Sequence, residues 1–320
     1  MKLPFIQDTA FGRPQRAKSC RRGRGESAIL KAVSDHLVIN EIYLSLQGES
    51  SFAGWPCIFV RLTGCNLRCS YCDTAYAFAE GRQMTLAEIM ARVRELAGGF
   101  ATSPIGLRLP LVELTGGEPL LQKNSLPLMS ALCDAGLTVL LETSGAMDIA
   151  PVDGRVHRIV DLKCPSSGEC ARNRWENLAH LKGGHGWLMR GRMREWETSS
   201  PRPLLHKGVE ERENTGKVSL HEPAVEGGDE IKFVIGTAQD YEWARDIIAQ
   251  RRLAGICPIL FSSVWPLLPH QQDPSLRPAP QGQTPLSRLE LAERIVADAL
   301  PVRFQLQMHK FIWPPDQKGV

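Results

Sequence analysis

The chain lacks several features, and each absence excludes a class. No apolar run reaches about 18 residues, the length a helix needs to cross a bilayer, so no membrane span is expected. No apolar signal-peptide core is visible either. The formal charge of +3 over 320 residues is too small to imply a polyanionic partner for the whole chain, and direct nucleic-acid binding is not expected. There are nine cysteines, an odd number, which with no secretory segment argues against a disulfide framework and for a reducing, cytoplasmic setting. A second Cys-x2-Cys pair, the usual companion of a zinc knuckle, is also missing. A hydrophobic content of 43% is enough for a sizeable core in one large or two small domains.

What is present is concentrated in Thr63-Gly64-Cys65-Asn66-Leu67-Arg68-Cys69-Ser70-Tyr71-Cys72-Asp73-Thr74. Cys65, Cys69 and Cys72 are spaced Cys-x3-Cys-x2-Cys. A short apolar run over 58–62 reads as a strand, and Gly64 breaks it, which puts Cys65 on the loop beyond. Thiolates are the soft ligands an iron–sulfur cluster needs. Three thiolates cannot serve all four irons of a cubane, so one iron is left open to a substrate or cofactor. Zinc remains the alternative, but Cys20, Cys57, Cys133, Cys164, Cys170 and Cys257 offer no second ligand pair.

The rest of the chain alternates between strand and helix patterns. Residues 1–36 are basic, with Arg13, Arg16, Lys18, Arg21, Arg22 and Arg24 unrelieved by aromatics, and read as a disordered solvated extension; a weak nucleic-acid tether is the other reading. Residues 38–46 read as a strand followed by the polar turn Gln47-Gly48-Glu49. Thr85-Leu86-Ala87-Glu88 is a capping box that opens a helix, stopped by Gly98-Gly99. Strands are predicted over 111–114, 139–142, 159–162, 230–235, 258–264 and 302–307. Helices are predicted over 126–135, 175–181 and 241–248, with a last one capped by Thr284-Pro285 and carrying Leu286, Leu289, Ile295, Val296 and Ala299 on its faces. Residues 183–227 lack periodicity and read as an inserted surface loop; residues 266–285 read as a long proline-rich connection. This alternation argues a parallel α/β fold, with about six or seven of these strands counted towards a barrel, fewer than a closed eight-stranded one needs.

The cysteine loop, together with Leu46-Gln47-Gly48-Glu49, Arg61, Cys72-Asp73-Thr74 and Thr115-Gly116-Gly117-Glu118-Pro119, resembles the radical S-adenosylmethionine (SAM) superfamily and, within it, the 7-carboxy-7-deazaguanine synthases of queuosine biosynthesis, a tRNA modification pathway. The resemblance covers 38–182 and 228–315. It implies a modified, incomplete (β/α) barrel of the radical SAM type over 37–315, interrupted at 183–227 and followed by a tail at 316–320. It implies a carbon–nitrogen lyase that converts 6-carboxy-5,6,7,8-tetrahydropterin to 7-carboxy-7-deazaguanine with loss of ammonia. The 4Fe-4S cluster would sit on Cys65, Cys69 and Cys72. SAM would be met by Tyr71, Cys72, Asp73, Gly117, Ser144 and Lys163, and Mg2+ by Thr74, whose other reading is a turn cap. Leu46, Gln47, Gly48, Arg61 and Thr115 would contact the substrate, Arg61 meeting its carboxylate with a two-pronged guanidinium. No catalytic residue beyond these ligands is implied. A homodimer and an electron donor such as flavodoxin come with the resemblance.

Two departures stand out. Cys164 occupies a place where many relatives carry a Ser-Pro-Lys-like sequence, and residues follow Pro315 where relatives stop, so the backbone carbonyl of Pro315, or nothing, would replace a terminal carboxylate at the substrate. The competing readings are another radical SAM enzyme, such as a glycyl-radical activase, and a zinc module whose basic tail binds RNA.

Overall fold

A computed structural model describes residues 35–102, 107–183, 228–314 and 317–319. The expectations for 1–34, for 184–227 and for the Pro315 carbonyl fall outside these residues. Nine strands form one sheet: β1 (His36–Leu46), β2 (Pro56–Leu62), β3 (Arg82–Thr85), β4 (Leu111–Gly116), β5 (Val139–Thr143), β6 (His157–Asp161), β7 (Glu230–Ile235), β8 (Ile259–Ser263) and β9 (Arg303–Gln305). Their order is β3-β1-β2-β4-β5-β6-β7-β8-β9. β1 runs antiparallel to both β2 and β3. From β2 through β4 to β9 every pairing is parallel.

That parallel part meets the expectation of an incomplete barrel. β1 could not join it, because the turn at 47–55 is too short for a crossover. β3 was not foreseen. Of its four residues only Met84 is buried, so it has no apolar alternation to betray it. It exists because it covers the free edge of β1.

Helices α1 (Leu86–Leu96), α2 (Ser125–Asp134), α3 (Ala238–Gln250) and α4 (Arg288–Ala297) alternate with the strands, and a short α5 (His309–Ile312) follows β9. The capping box at Thr85 forms as predicted, with Thr85 accepting from the Glu88 amide. The last long helix begins later than predicted. Ser287, with Glu290 three residues on, is its cap. Leu291 and Ile295 are its buried residues, whereas Leu289 and Val296 are 68% and 79% exposed. The helical pattern at 175–181 closes as a 3-10 segment, Trp175–His180. No helix among the described residues is long and apolar enough to cross a membrane.

Side chains alternate across each strand, which divides the sheet into two faces. Ile58, Val60 and Leu62 of β2 and Val112 and Leu114 of β4 pack with Ile89, Val93, Leu128 and Leu132 of the helices in the main core. The opposite face carries a smaller apolar cluster that includes Phe59, Leu111, Leu140 and Ile159, with Phe52 against them. Two residues further along the same strands, that inner face turns polar at Arg61, Glu113, Glu142 and Asp161. It is sealed below by the small cluster and opens at the carboxyl ends of the strands.

The open side of the barrel is crossed by the β1–β2 turn. Ser51 donates its amide to Glu230 of β7 at 3.0 Å, and Gln305 of β9 donates to the Ser50 carbonyl at 2.9 Å. Met308 donates its amide to the Gly48 carbonyl at 3.0 Å. A turn thus stands where a complete barrel would have further strands.

Candidate active site

Cys65, Cys69 and Cys72 come together on the loop after β2, in the wall of a cavity of about 790 Å³ at the carboxyl ends of the strands. Gly64 turns the chain into this loop at φ +98°, a left-handed conformation that favours glycine. The Leu67 amide donates to Cys65 Sγ at 3.4 Å. Burial raises all three thiols above their ordinary range, Cys69 to about 11. Such thiols stay protonated until a metal displaces the proton. Among the described residues no three His, Cys, Asp or Glu side chains are grouped as a single metal ion would need. The described cysteines form no disulfide. Three thiols in one loop fall short of the four ligands a structural zinc takes and match a cluster, whose irons take one thiolate each.

The Gly116–Pro119 loop packs directly on the cysteine loop. The Glu118 amide donates to the Gly64 carbonyl at 2.8 Å and the Gly117 amide to the Leu62 carbonyl at 3.2 Å. These two amides are thus engaged with protein, and the smallness of Gly117 serves this packing. A Cβ there would come within 2.9 Å of Cys65 Cβ and closer still to the Gly64 backbone. Glu118 is fully buried. It accepts from Thr143 Oγ1 at 2.9 Å, from the Ser144 amide at 2.8 Å and from Ser144 Oγ at 2.5 Å. Ser144, expected to meet SAM, is in the cavity wall with its hydroxyl proton committed to Glu118.

Lys163 also reaches the cavity and pairs with Asp161 at 2.8 Å. Burial would lower its ammonium, but Asp161 holds it above its ordinary value. Cys164 is fully buried in the main core. Asp73 pairs with the buried Lys310 of α5; burial would raise its carboxyl, and Lys310 holds it below the usual range. Thr74 heads a 3-10 turn but makes no side-chain capping bond, so the capping role weighed for it is not filled. Its Oγ1 lies 3.7 Å from Cys72 Sγ.

Leu46, Gln47, Gly48, Arg61 and Thr115 line the same cavity. Gln47 is 4% exposed; its amide donates to Glu113 and accepts from the Glu49 amide at 3.0 Å. Gly48 is against α5, and a Cβ there would collide with the His309 ring. Arg61 donates through Nε to Glu41 at 2.7 Å and through Nη2 to Tyr43 at 3.0 Å, which fixes the plane of the guanidinium. Thr115 Oγ1 lies 3.5 Å from Glu142.

Sequence reasoning missed the charged floor of the cavity. Glu113, Glu142, Asp161 and Lys232 all line it. Their signal was available in part: Glu113 and Glu142 are each the single charge of their strand, whereas Asp161 and Lys232 share theirs with Arg158 and Glu230. Three buried polar atoms in this cavity lack a partner among the described residues: Tyr71 OH, Asp161 Oδ1 and Glu49 Oε1. Unpartnered buried polar atoms are costly, and here they belong to residues that line a space of about 790 Å³.

Comparison with known proteins points the same way. The pattern of the Radical SAM superfamily matches residues 59–165. The 7-carboxy-7-deazaguanine synthase of Chlorobaculum tepidum is 40% identical over 284 residues, 89% of this chain and 97% of that protein. The enzyme of the same name from Koribacter versatilis is 40% identical over 289 residues, covering 88% of this chain and 99% of its own. Among solved structures, that of QueE from Escherichia coli superposes with a TM-score of 0.50 at 20% identity, over 86% of this chain and 95% of its own.

Proposed function

Because the chain belongs to the 7-carboxy-7-deazaguanine synthases of the radical SAM superfamily, we propose that its cavity seats a carboxylated tetrahydropterin beside a 4Fe-4S cluster and SAM. The substrate is 6-carboxy-5,6,7,8-tetrahydropterin and the product is 7-carboxy-7-deazaguanine, formed with loss of ammonia. The observation that carries this reading is the shared cavity. The three thiols and Arg61 line one space, together with Tyr71, Asp161 and Glu49.

Cys65, Cys69 and Cys72 would hold the cluster. Tyr71, Cys72, Asp73, Gly117, Ser144 and Lys163 would hold SAM. When bound, the cluster and SAM supply the radical that starts the ring contraction. The protein's part is position and charge. Glu41 and Tyr43 occupy one side of the Arg61 guanidinium and leave Nη1 for the substrate carboxylate. Gln47, Glu113, Glu142 and Lys232 present buried acceptors and donors to the heterocycle's edge, and Leu46, Gly48 and Thr115 complete that wall. Thr74, uncommitted as a cap, would give Mg2+ one oxygen; magnesium takes few protein ligands and fills its shell with water and substrate oxygens. A homodimer, a flavodoxin-type electron donor and a cytoplasmic location belong to the same reading and rest on the family.

The deciding experiment is anaerobic reconstitution with iron and sulfide, followed by product analysis with the pterin, SAM, a reductant and magnesium. Formation of 7-carboxy-7-deazaguanine supports the reading. A four-iron protein that cleaves SAM yet leaves the pterin unchanged would assign it to another radical SAM reaction, and stoichiometric zinc without iron uptake would remove the cluster.

A further inference from the structure

Residues 266–285 join β8 to α4. Far from being a bare connection, they supply part of the cavity wall through His270, Gln271, Gln272, Asp273 and Pro274. Just beyond, this wall is fastened to the cysteine loop. Arg277 donates its backbone amide to the Arg68 carbonyl at 2.8 Å and its Nε to Glu169 Oε1 at 2.7 Å. The same carboxylate oxygen accepts the Arg68 backbone amide at 2.9 Å. Glu169 is 3% exposed. Gly168 before it lies at φ +71°, and a Cβ there would come within 2.8 Å of Arg277 Cδ.

Arg68 stands between the first two cysteines. Its side chain folds back on its own loop, donating to the Cys65 carbonyl at 2.9 Å and the Leu67 carbonyl at 2.7 Å. On the other side of Cys69, Ser70 donates its amide to the Ser167 carbonyl at 3.0 Å and its hydroxyl to the Ser166 carbonyl at 2.6 Å. The segment 166–169 therefore grips Cys69 from both sides, and Glu169 ties that grip to Arg277. The bonds to the carboxylate are charge-assisted and stronger than neutral ones. Groups one step outside a metal site typically matter to its affinity by about 10–100-fold.

We propose that Glu169 and Arg277 are positioning residues for the cysteine loop, locking the 266–285 wall onto Cys69 and slowing release of the cluster. This rests on the reading that Cys65, Cys69 and Cys72 hold that cluster. The test compares the reconstituted parent with Arg277→Met, Glu169→Gln and Arg277→Lys. Iron loss to an iron(II) chelator is followed without oxygen, and the thermal midpoint of each iron-free protein is recorded. Arg277 is half-exposed, and Glu169→Gln keeps the shape and the acceptor for Arg68 while removing the charge, so both variants should fold. The expected result is iron release on the order of tenfold faster in Arg277→Met and Glu169→Gln, near-parental release in Arg277→Lys, and unchanged iron-free midpoints. Parental release rates in both first variants would overturn the proposal while leaving the cluster reading intact. Faster release accompanied by an equal fall in iron-free stability, without rescue by Arg277→Lys, would overturn it as well. A parent that takes up no cluster would overturn both readings together.

Discussion

Lys232 on β7 forms a buried ion pair with Glu142 on β5, reaching across the intervening β6. The same ammonium meets Glu49 at 2.6 Å. Burial alone would depress Lys232, but Glu142 and Glu49 hold it well above its ordinary value. Burial would likewise raise Glu142, and Lys232 pulls it below. Removing the cation should strand two carboxylates near Glu113. Breaking one partner of a buried pair typically costs about 3–5 kcal/mol. Lys232→Met is therefore expected to lose stability of that order in urea unfolding at neutral pH. A loss under about 1 kcal/mol would mean that water already screens the pair.

Glu113 behaves oppositely to Glu142. Burial first, then the Glu142 charge, pushes its carboxyl well above its ordinary value of 4.5. A raised acid binds its proton more tightly in the folded chain than in the unfolded one. Its stabilising contribution is then complete below pH 4.5 and is lost as the pH rises through the folded value. Glu113→Gln mimics the protonated side chain and cannot lose a proton. Its thermal midpoint should exceed the parent's at about pH 8 and converge with it towards pH 4.5. A constant offset at every pH would show that Glu113 does not titrate in this way.

These charges also mark the limit of what the sequence discloses. The cysteine loop, the seven parallel strands and the capping box at Thr85 follow from local spacing and periodicity, and the structure places them as expected. Lys232 and Glu49 are 183 positions apart, and Arg277 and Glu169 are 108 apart. Such pairs exist only once the strand order brings them together. Gly117 shows a subtler limit. Its motif suggests ligand approach, while its contacts show that it first has to admit Gly64 and Cys65. β3, with one buried residue, has too little pattern to announce itself.

Gly117 yields a direct test. A methyl group there would come within 2.6 Å of Gly64 C and 2.9 Å of Cys65 Cβ. Neither atom is the end of a flexible side chain, so the cysteine loop itself must move. Gly117→Ala should remain folded through the main core yet retain well under half of the roughly four irons of a reconstituted cluster. Parental iron content, measured with protein concentration by amino-acid analysis, would show that the loop tolerates the shift.

The roots of the 184–227 segment lie at the amino-terminal ends of β6 and β7, opposite the cavity. Asp229 donates its amide to the Lys182 carbonyl at 2.9 Å and accepts the Lys182 amide at 2.6 Å. Arg158 clamps the same carboxylate, with Nε at 2.9 Å. With its ends held together, the segment can be replaced by a short Gly-Ser linker without pulling on β6 or β7. Turnover of the pterin by such a variant should stay within about twofold of the parent, the modest change expected when a closed loop is shortened. Soluble, cluster-loaded protein with no turnover would instead assign this segment a part in the reaction.

The last prediction concerns the residues after Pro315. Gln317, Lys318 and Gly319 line the cavity. Lys318 Nζ stands 4.1 Å from the centroid of the Tyr76 ring and 3.4 Å from Glu80. Arg61 approaches the same ring at 5.9 Å, so both cations stand close to Tyr76 in the cavity wall. Lys318 is half-exposed, and an exposed cation of this kind attracts a carboxylate by about 0.5–1 kcal/mol. That corresponds to a roughly two- to fivefold change in binding. Truncation after Pro315, or Lys318→Met, should raise the KM for the pterin by that factor at low salt, leave kcat nearly unchanged, and lose most of its effect as salt screens the charge. A fall in kcat with unchanged KM would place the tail in the reacting geometry rather than at the entrance. Unchanged kinetics in both variants would show that the extra residues merely cover the rim.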